Sequence, residues 1–407
     1  MTRILFVAEA VTLAQVVRLA TLARALDPAR YQVHFASARF DDLVFGGAHF
    51  VRHSIQSLSP ELIEARVTRG ARLYGRRTLA RYVAEERALL AAVRPALVVG
   101  DLRLSLSISA PLEGVPYACL INSYWSPRAD REQWPMPDHP IVRLLGVARA
   151  AVHFPKALPF VFRHFARPVN RLRRAHGLTD IGDLPAVLTH GDHVLFPDAP
   201  GVAGVRALAA HERYLGPVLW SPPVPLPPWW NALDPGRPTV YVTLGSSGRV
   251  RALPVVVEAA ASLGCQVLVA TAGRATLADP PPHVYVAEFV PGHLAARRAA
   301  LVVSNGGSTT SYQALAEGRP VLAVPFNLDQ YLATAALEKA GAALAVRAGA
   351  LGRAEVRAAL ERLLGEPAFA QKAASARDEL ARWPSGARFA AFVDSAATSS
   401  SPCRRRP

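Results

Sequence analysis

The segment from Ser304 to Gln330 reads SNGGSTTSYQALAEGRPVLAVPFNLDQ, and it indicates the fold more clearly than any other part of the chain. It begins at the end of the apolar run 301–304 (LVVS), which is a predicted strand. Two glycines follow at 306 and 307. Hydroxyl residues then begin a predicted helix, and a second apolar run at 321–324 (VLAV) leads to an Asp-Gln pair. A strand, a helix and a strand in this order predict a β-α-β unit of a parallel sheet.

The bend between the first strand and the helix suits a phosphate group. Gly306 and Gly307 carry no side chain, so a ligand can approach the backbone closely. Ser308, Thr309 and Thr310 place hydroxyl groups beside unpaired N–H groups at a helix start, where anions bind favourably. A turn built only for tight packing is the alternative, because glycine turns are common for geometric reasons.

The same alternation of strands and helices continues outward from this segment in both directions. Between the apolar runs lie stretches in which apolar residues recur at helical spacing, for example 79–93. Alternating strands and helices predict an α/β protein with doubly wound parallel sheets. The predicted strands are 4–7, 31–36, 96–100, 117–121, 239–244, 266–271, 283–286, 301–304 and 321–324.

A proline-rich stretch divides the predicted strands into two groups. Residues 216–238 contain eight prolines and the pair Trp229-Trp230, a composition typical of a stiff, extended linker. We therefore predict two domains, at 1–215 and 239–397, joined by this linker. The C-terminal sequence 398–407 (TSSSPCRRRP) is predicted to be disordered.

Length and composition agree with two globular domains. The chain has 407 residues, of which 51% are hydrophobic and 19% are charged, so large buried cores are expected. Three cysteines, at 119, 265 and 403, are too few and too far apart for a disulfide framework or a zinc site. A reducing, cytoplasmic location is the prediction that follows.

The formal net charge of +15 permits two interpretations. Such a charge attracts phosphates, nucleic acids and anionic lipid surfaces. It can also reflect the arginine bias of a GC-rich genome, because only three of the 46 basic residues are lysines. No nucleic-acid-binding motif accompanies the charge, so we predict no nucleic-acid partner.

Residues 136–177 mix aromatic, aliphatic and basic residues without the alternation of a strand. One interpretation is a helical segment that lines an apolar acceptor pocket or rests peripherally on the inner face of a membrane. The other is an ordinary helical insertion whose arginines face water. The prolines within 214–233 exclude a membrane-spanning helix there.

The segment 304–330 resembles the donor-binding region of family 1 UDP-glycosyltransferases, including the bacterial macrolide and flavonoid types. The family pattern is His-Gly-Gly, Ser or Thr, Glu, Gly-x-Pro and Asp-Gln. Shorter similarities are found at 214–218 (YLGPV), 245–247 (GSS) and 289–291 (FVP). The corresponding residues of the main pattern are Asn305-Gly306-Gly307, Thr310, Gln313, Gly318-Arg319-Pro320 and Asp329-Gln330.

The resemblance implies a GT-B fold, in which two Rossmann-like domains face each other across a cleft that closes around the substrates. It implies a nucleotide-diphosphate sugar of the UDP or dTDP type as co-substrate, with no further cofactor and no metal. It also implies a donor site whose roles fall on particular residues. These are Asn305, Gly307, Ser308 and Thr309 for the diphosphate, Gln313 for the ribose, Asp329 and Gln330 for sugar hydroxyls, and Ser246 and Val290 for the nucleotide side of the cleft.

Three departures from the family pattern replace an ionisable residue with an amide. Asn305 stands where the family has a histidine, and Gln313 stands where it has a carboxylate. Counting back from the Leu-Ala pair at 22–23 places Gln15 at the catalytic histidine and Arg18 at a proline. Glutamine cannot take a proton near neutral pH, so the expected general base is absent.

Two carboxylates are candidates for the missing base. Asp101 follows a predicted strand and aligns with the family's aspartate that orients the histidine. It could act on an acceptor hydroxyl directly, or it could simply cap the helix that follows. Glu9 lies in the first loop and is a second candidate base, with a solvated loop carboxylate as its alternative.

Two functions remain open at this point. The first is an inverting glycosyltransferase that transfers a sugar to a hydroxyl of a hydrophobic small molecule or lipid, such as a polyketide, a phenol or a glycolipid precursor. The second is a catalytically degenerate homologue that binds a nucleotide sugar or a partner enzyme. A dinucleotide-dependent oxidoreductase is disfavoured, because the turn at 8–13 (AEAVTL) contains no glycine.

Overall fold

The computed structural model describes residues 1–245, 248–277 and 279–399, and this part of the chain forms two parallel sheets. The first sheet has the order β3-β2-β1-β4-β5-β6-β7, and the second has the order β10-β9-β8-β11-β12-β13. The predicted α/β architecture with two doubly wound sheets is confirmed. The strands are β1 Thr2–Ala8, β2 Tyr31–Ser37, β3 Val51–Ser54, β4 Leu97–Asp101, β5 Tyr117–Leu120, β6 His193–Phe196, β7 Glu212–Tyr214, β8 Thr239–Thr243, β9 Gln266–Ala270, β10 Val284–Ala287, β11 Leu301–Ser304, β12 Val321–Ala323 and β13 Ala343–Ala345.

Helices cover both sheets and connect their strands. In the first half they are α1 Leu13–Arg24, α2 Asp42–Phe45, α3 Pro60–Thr68, α4 Arg76–Val93, α5 Leu106–Leu112, α6 Pro140–Leu145, α7 Val147–Ala175 and α8 Leu184–Leu188. In the second half they are α9 Leu253–Ala261, α10 Gly292–Arg298, α11 Ser308–Ala316, α12 Leu328–Lys339, α13 Arg353–Gly365, α14 Pro367–Ala381 and α15 Ser385–Ser399. No helix in the described part of the chain combines the length and the apolar character needed to cross a bilayer.

Four of these strands, β3, β6, β7 and β13, have no counterpart among the strands predicted from apolar runs. Each has only three or four residues, and β3 lies at the edge of its sheet with mostly exposed side chains. β3, β7 and β13 lie at sheet edges and need few apolar residues, because only part of an edge strand meets the core, whereas β6 lies between β5 and β7 and has only three apolar residues in its run. They are therefore recognisable only once the central strands are in place.

The order of strands reverses at one point in each sheet. β1 pairs with β2 on one side and with β4 on the other, and β8 pairs in the same way with β9 and β11. A crevice opens at the carboxyl ends of the strands wherever the order reverses in this manner. The loops after β1, β4, β8 and β11 are therefore the expected sources of a binding site.

The end of the chain returns to the first domain. Phe389, Phe392 and Val393 of α15 are buried in the core around β1 and α1, and the Phe389 ring lies 5.8 Å from that of Phe6. Apolar burial of this kind is the main stabilising term of a core. The predicted disordered segment 398–407 lies largely outside the described residues, and α15 extends to Ser399.

The linker is held against the second domain. The Trp229 indole N–H donates to the Val286 carbonyl oxygen at 3.1 Å, and its ring packs 5.4 Å from that of Tyr285. Gly216 has φ +97, and a Cβ there would lie 2.0 Å from the Trp383 carbonyl oxygen. Only glycine fits this close approach, which joins the start of the linker to the segment before α15.

Candidate active site in the interdomain cleft

The bend after β11 is shaped by hydrogen bonds within the bend itself. The Ser304 hydroxyl accepts from Gly306 N at 3.0 Å, and Asn305 Oδ1 accepts from Gly307 N at 2.9 Å. Gly306 has φ +76, and a Cβ on it would lie 2.4 Å from the Thr334 hydroxyl. Asn305 thus uses its side-chain oxygen to close the turn, and the backbone at Gly306 leaves no room for a side chain.

The first turn of α11 is open to an anion. No side chain caps this helix at Gly307, so the backbone N–H groups of its first turn keep no intrahelical partner. Gly307, Ser308, Thr309 and Thr310 are all partly exposed rather than sealed in the core. The N-terminus of a helix with free N–H groups and neighbouring hydroxyls is suited to a diphosphate.

Asp329 lies on the same side of the cleft, in the first turn of α12. Its carboxylate Oδ1 accepts from Trp125 Nε1 at 2.7 Å and from the Tyr124 hydroxyl at 3.3 Å, and both donors belong to the first domain. The residue remains open to solvent in the cleft. Loss of hydration among these groups raises the pKa of Asp329, and the bond from Trp125 opposes that rise.

The other predicted donor residues occupy different environments. Gln313 is partly exposed and donates from Nε2 to the Trp220 carbonyl oxygen at 2.8 Å. Val290 is only 2% exposed and packs in the core of the second domain, so only its backbone could meet a nucleotide. Ser246 lies outside the described residues.

Gln330 does not fit its predicted role. Its side chain is buried, and its Oε1 accepts from Phe326 N at 3.0 Å within the loop before α12. A glutamine that completes a loop in this way supports the backbone rather than sugar hydroxyls. Of the Asp-Gln pair, only Asp329 presents its side chain to the cleft.

On the opposite side of the cleft, Asp101 forms a buried ion pair with Arg18. Arg18 Nε lies 3.0 Å from Asp101 Oδ2, and Arg18 Nη2 lies 2.8 Å from Asp101 Oδ1, a two-point contact. Burial raises the pKa of Asp101 to about 6, and the Arg18 charge limits that rise. The carboxylate that the family resemblance assigns to a histidine is thus bound to an arginine of α1.

Asn122 connects this ion pair to the donor helix. Its Oδ1 accepts from Arg18 Nη1 at 2.6 Å and from the Ser308 hydroxyl at 3.4 Å. Its Nδ2 donates to Asp198 Oδ1 at 2.8 Å, and the same oxygen accepts from the Tyr312 hydroxyl at 2.6 Å. A continuous polar network therefore crosses between the two sheets at the level of the α11 N-terminus.

Asn122, Tyr124 and Trp125 escape a motif search, but their position in the sequence carries a signal. They follow β5, and Asp101 is the last residue of the neighbouring strand β4; the carboxyl ends of neighbouring parallel strands lie at the same edge of a sheet. Asp198 follows β6 in the same way, but β6 has no clear sequence signal.

Gln15 is hydrogen-bonded within the first turn of its own helix. Its Oε1 accepts from Thr12 N at 2.9 Å and from the Thr12 hydroxyl, so the pair forms a capping box at the start of α1. The residue is partly exposed at the first switch point. Its side chain therefore serves the helix start, while Arg18, one turn later, supplies the partner of Asp101.

Glu9 is not a solvated loop carboxylate, and its location does not suit a base in the cleft. It is fully buried, and its Oε2 lies 2.9 Å from Arg103 Nη1. Arg103 also contacts Glu86 at 2.6 Å, and the Tyr82 hydroxyl donates to Glu9 at 3.2 Å. Burial raises the pKa of Glu9 and Arg103 opposes the rise, so the carboxylate belongs to an internal ion cluster.

Aromatic rings join the cleft to the long helix α7. Trp125, which contacts Asp329, lies 6.0 Å from Trp134, whose ring lies 4.7 Å from that of Phe162 on α7. The Arg131 guanidinium stacks 3.6 Å over Trp134. This row of rings forms an apolar wall on the first-domain side of the cleft, next to the donor site.

Metal-binding groups are not assembled in the described ranges. Among residues 1–245, 248–277 and 279–399, no three or more His, Cys, Asp or Glu side chains come together as a metal site would require. The positive groups near the α11 N-terminus are instead the helix end and Arg18.

The chain is similar to known glycosyltransferases along most of its length. Residues 254–393 match the family described as Erythromycin biosynthesis protein CIII-like, C-terminal domain. The chain is 46% identical over 373 residues to a PGL/p-HBAD biosynthesis glycosyltransferase of Mycobacterium tuberculosis, which covers 91% of this chain and 87% of the relative. It is 44% identical over 382 residues to a PGL/p-HBAD biosynthesis rhamnosyltransferase of Mycobacterium bovis, with 93% and 84% covered.

A third relative carries a different description. An inactive PGL/p-HBAD biosynthesis glycosyltransferase of Mycobacterium bovis is 47% identical over 259 residues, which is 63% of this chain and 70% of the relative. Among solved structures, the spinosyn forosaminyltransferase SpnP superposes with a TM-score of 0.71 at 20% identity, and 98% of this chain and 99% of that chain are covered. The spinosyn rhamnosyltransferase SpnG complexed with thymidine diphosphate gives 0.68 at 20% identity, with 97% and 99% covered.

Proposed function

Since this chain belongs to the family of PGL/p-HBAD biosynthesis glycosyltransferases, we propose that it is an inverting enzyme acting on an apolar acceptor. It transfers a sugar from a nucleotide-diphosphate donor to a hydroxyl of a hydrophobic small molecule or lipid. The observation that carries this proposal is the open N-terminus of α11 facing Asn122 and the Arg18–Asp101 pair across the cleft.

The donor sits on the second domain in this proposal. Backbone N–H groups of the first turn of α11 and the hydroxyls of Ser308 and Thr309 hold the diphosphate, where the helix dipole stabilises the leaving group. Asp329 accepts hydrogen bonds from sugar hydroxyls, in place of those it now accepts from Trp125 and Tyr124. UDP and dTDP sugars are the donors to test first, since a structural neighbour is described in complex with thymidine diphosphate.

Catalysis without a histidine favours an acceptor hydroxyl that ionises readily. Asp101 is fully buried and accepts from Arg18 at both oxygens, so its carboxylate is not exposed to an aliphatic alcohol in the cleft. Arg18 places a positive charge between Asp101 and the α11 N-terminus, where it stabilises an acceptor oxyanion or the departing diphosphate. A phenol needs less help from a base than an aliphatic alcohol does, because its hydroxyl is far more acidic.

The acceptor lies against the aromatic wall formed by Trp125, Trp134 and Phe162. Trp134 is the most exposed of the three and would meet the acceptor, while the buried Trp125 and Phe162 hold it from either side. An apolar acceptor gains by burying its surface there, next to Asp329 and the reacting sugar.

A degenerate, non-catalytic homologue is the second candidate, and one relative described as inactive gives it a specific basis. The two candidates differ in what a restored histidine would do. We expect Gln15→His alone to change turnover by less than about tenfold, because Asp101 stays bound to Arg18. We expect Arg18→Met to lower turnover, because it removes the charge that stabilises the oxyanion, and Gln15→His in that background to regain part of it on an aliphatic alcohol, because Asp101 is then available to orient the histidine.

The deciding measurement is sugar transfer from UDP and dTDP donors to a phenol and to an aliphatic alcohol, with Arg18→Met alone as the matched control. Turnover on the phenol by the unaltered chain supports the enzyme. No turnover with any acceptor, together with a thermal shift on adding the nucleotide, supports the non-catalytic homologue.

The cytoplasm is the proposed location, with contact at the inner face of the membrane. Within the described residues, Cys119 and Cys265 are unpaired, buried thiols, which suits a reducing compartment.

A further inference from the structure

The positive charge of this chain is concentrated in two short segments. Residues 139–179 contain eight basic residues and no Asp or Glu, and residues 65–84 contain six basic residues and no Asp or Glu. These two segments hold fourteen of the fifteen formal net positive charges, so the other 346 residues are nearly neutral. A genome-wide arginine bias would spread the charge along the chain, and this distribution does not.

The first segment forms α6 and α7, and one side of α7 is a continuous exposed stripe. Its members are spaced by three or four residues, as one face of a helix requires, and each is exposed. They are Arg149, Val152, Lys156, Phe160, Arg163, Arg167, Arg171 and Arg174. We call this face the α7 stripe.

Large apolar side chains stand among these cations without a protein partner to cover them. Leu144 is 83% exposed, Phe160 is 70% exposed and Val152 is 61% exposed. The opposite side of α7 is the one that packs, through Leu158, Phe162 and neighbouring residues. A helix with one packed face normally turns polar side chains outward, so exposed aromatic and aliphatic residues on the outer face call for a partner.

Few of the cations on the α7 stripe are neutralised by the protein. Within the described ranges, Arg163, Arg167 and Arg171 take part in no ion pair, while Arg174 pairs with Asp180. A groove of about 550 Å³ beside the stripe is lined by Arg163, Arg167 and Arg174. Of the two carboxylates in that groove, Asp180 is the partner of Arg174, and Asp183 caps α8 by accepting from Ala186 N at 3.2 Å.

We propose that the α7 stripe docks the enzyme on an anionic lipid bilayer, with Phe160 and Val152 inserted below the headgroups and the arginines paired with lipid phosphates. Apolar insertion flanked by basic residues is the pattern of a helix that lies in the membrane interface. Nucleic acid would use the arginines but would leave the exposed apolar residues in water. The combination therefore favours a bilayer.

This inference extends the proposed function, because an apolar acceptor dissolved in the same bilayer would enter the cleft beside α7. Phe162, on the packed side of α7, touches Trp134, and Trp134 touches Trp125 at the donor site. One helix thus presents its outer face to the lipid and its inner face to the proposed acceptor wall.

The test is co-sedimentation of the full chain with vesicles made of equal parts phosphatidylcholine and phosphatidylglycerol, and with pure phosphatidylcholine vesicles. Each basic residue near an anionic surface contributes roughly a fivefold gain in partitioning. We expect Arg163→Glu with Arg167→Glu to lower partitioning by at least about 25-fold. The matched control is Arg353→Glu with Lys372→Glu, which makes the same charge change on exposed residues of α13 and α14 and should alter partitioning less than twofold.

Phe160→Ser separates a bilayer from other polyanions. It should weaken binding to anionic vesicles several-fold and leave retention on duplex DNA unchanged, with circular dichroism melting confirming that each variant is folded. The proposal is overturned if the chain does not co-sediment with anionic vesicles, or if both charge-reversed pairs lower partitioning equally. It is also overturned if the chain binds DNA as tightly as vesicles and Phe160→Ser leaves vesicle binding unchanged.

Sugar transfer to a water-soluble phenol, measured in parallel, keeps this result apart from the proposed function. The Arg163 and Arg167 variant should retain that activity. Vesicle binding without any transfer would count against the proposed function alone, and transfer without vesicle binding would count against the docking surface alone.

Discussion

Asp101 and Asp329 are both aspartates at the carboxyl edges of parallel sheets, but the two sides of the cleft hold them differently. Asp101 is fully buried and bound at both oxygens by Arg18 of its own domain. Asp329 is exposed, and its donors among the described residues are neutral, namely Trp125 and Tyr124 of the opposite domain. Asp101 is held by a partner in its own domain. Asp329 could bind a ligand in the cleft if Trp125 and Tyr124 release it.

The different partners of Asp101 and Asp329 allow the two carboxylates to do different things. A buried charge bonded within one domain can only position its neighbours, because releasing it would leave an uncompensated ion. A carboxylate with neutral partners from another domain can exchange them for sugar hydroxyls at little cost, since one set of hydrogen bonds replaces another.

The largest effect should come from Asp329→Asn, which removes the charge to which we propose the sugar hydroxyls bind. We expect kcat/KM for the nucleotide sugar to fall by about 10²-fold, because hydrogen bonds to a charged group are stronger than those to a neutral one. Steady-state kinetics with varied donor measures this. Asp378→Asn, an exposed aspartate of α14, is the control and should change nothing, and an equal loss there would contradict the assignment.

Asp101→Asn should have a smaller effect on the rate, about tenfold, and a distinct effect on its pH dependence. The pKa of Asp101 is raised to about 6, so the carboxyl is ionised above that pH and takes up a proton as the pH falls through it. Protonation releases Arg18, so kcat/KM of the unaltered chain should fall as the pH drops through about 6 and level off about tenfold lower, near the value of the variant.

The profile of the Asp101→Asn variant should lack this acidic limb. A limb near pH 6 that persists in the variant would show that another group titrates there. Comparison at pH 7.5 and at pH 5.5, with circular dichroism at both values, separates the effect from unfolding.

Glu9→Gln tests whether a buried carboxylate of the same domain serves stability alone. Removing its charge leaves Arg103 with Glu86 as its main partner, and we expect the free energy of unfolding to fall by about 3 kcal/mol. The turnover of the folded protein should stay within about twofold. Urea unfolding and turnover are measured on one preparation of the variant. A large loss of turnover without a loss of stability would restore Glu9 as a candidate base.

The smallest effect should come from Trp125→Phe, which removes one donor from Asp329 and keeps the aromatic wall. Donor sugar hydroxyls then compete with the Tyr124 hydroxyl alone, so we expect the nucleotide sugar to bind a few times more tightly. Calorimetric titration measures the change, with Trp230→Phe in the linker as the control. Weaker binding would mean that Trp125 itself contacts the sugar.

The sequence predicts the donor side of the cleft better than the acceptor side. Gly306 lies in the bend after β11, Ser308 begins α11 and Asp329 lies in the first turn of α12, because residues at fixed spacing on one β-α-β unit keep their relation when the unit folds; their roles toward a donor stay predictions. Gln330 departs from the pattern because its amide oxygen accepts a hydrogen bond from the backbone N–H of the neighbouring Phe326. Local hydrogen bonds of this kind leave no trace in spacing.

On the acceptor side, the partners of each charge come from distant parts of the chain. Arg18 and Asp101 are 83 residues apart, and Asn122 and Ser308 are 186 residues apart. Glu9 illustrates the same limit, because a loop position suggests a solvated carboxylate until Arg103 is found beside it.

The sequence by itself determined the two β-α alternations, the proline-rich division between them and the glycine bend at the start of α11, since each depends on residues close together in the chain. Only the tertiary structure decided which carboxylate is ion-paired, which remains open in the cleft, and which face of α7 is left without a protein partner. Those outcomes depend on contacts between residues separated by tens to hundreds of positions, and burial and charge pairing are set by such contacts rather than by local pattern.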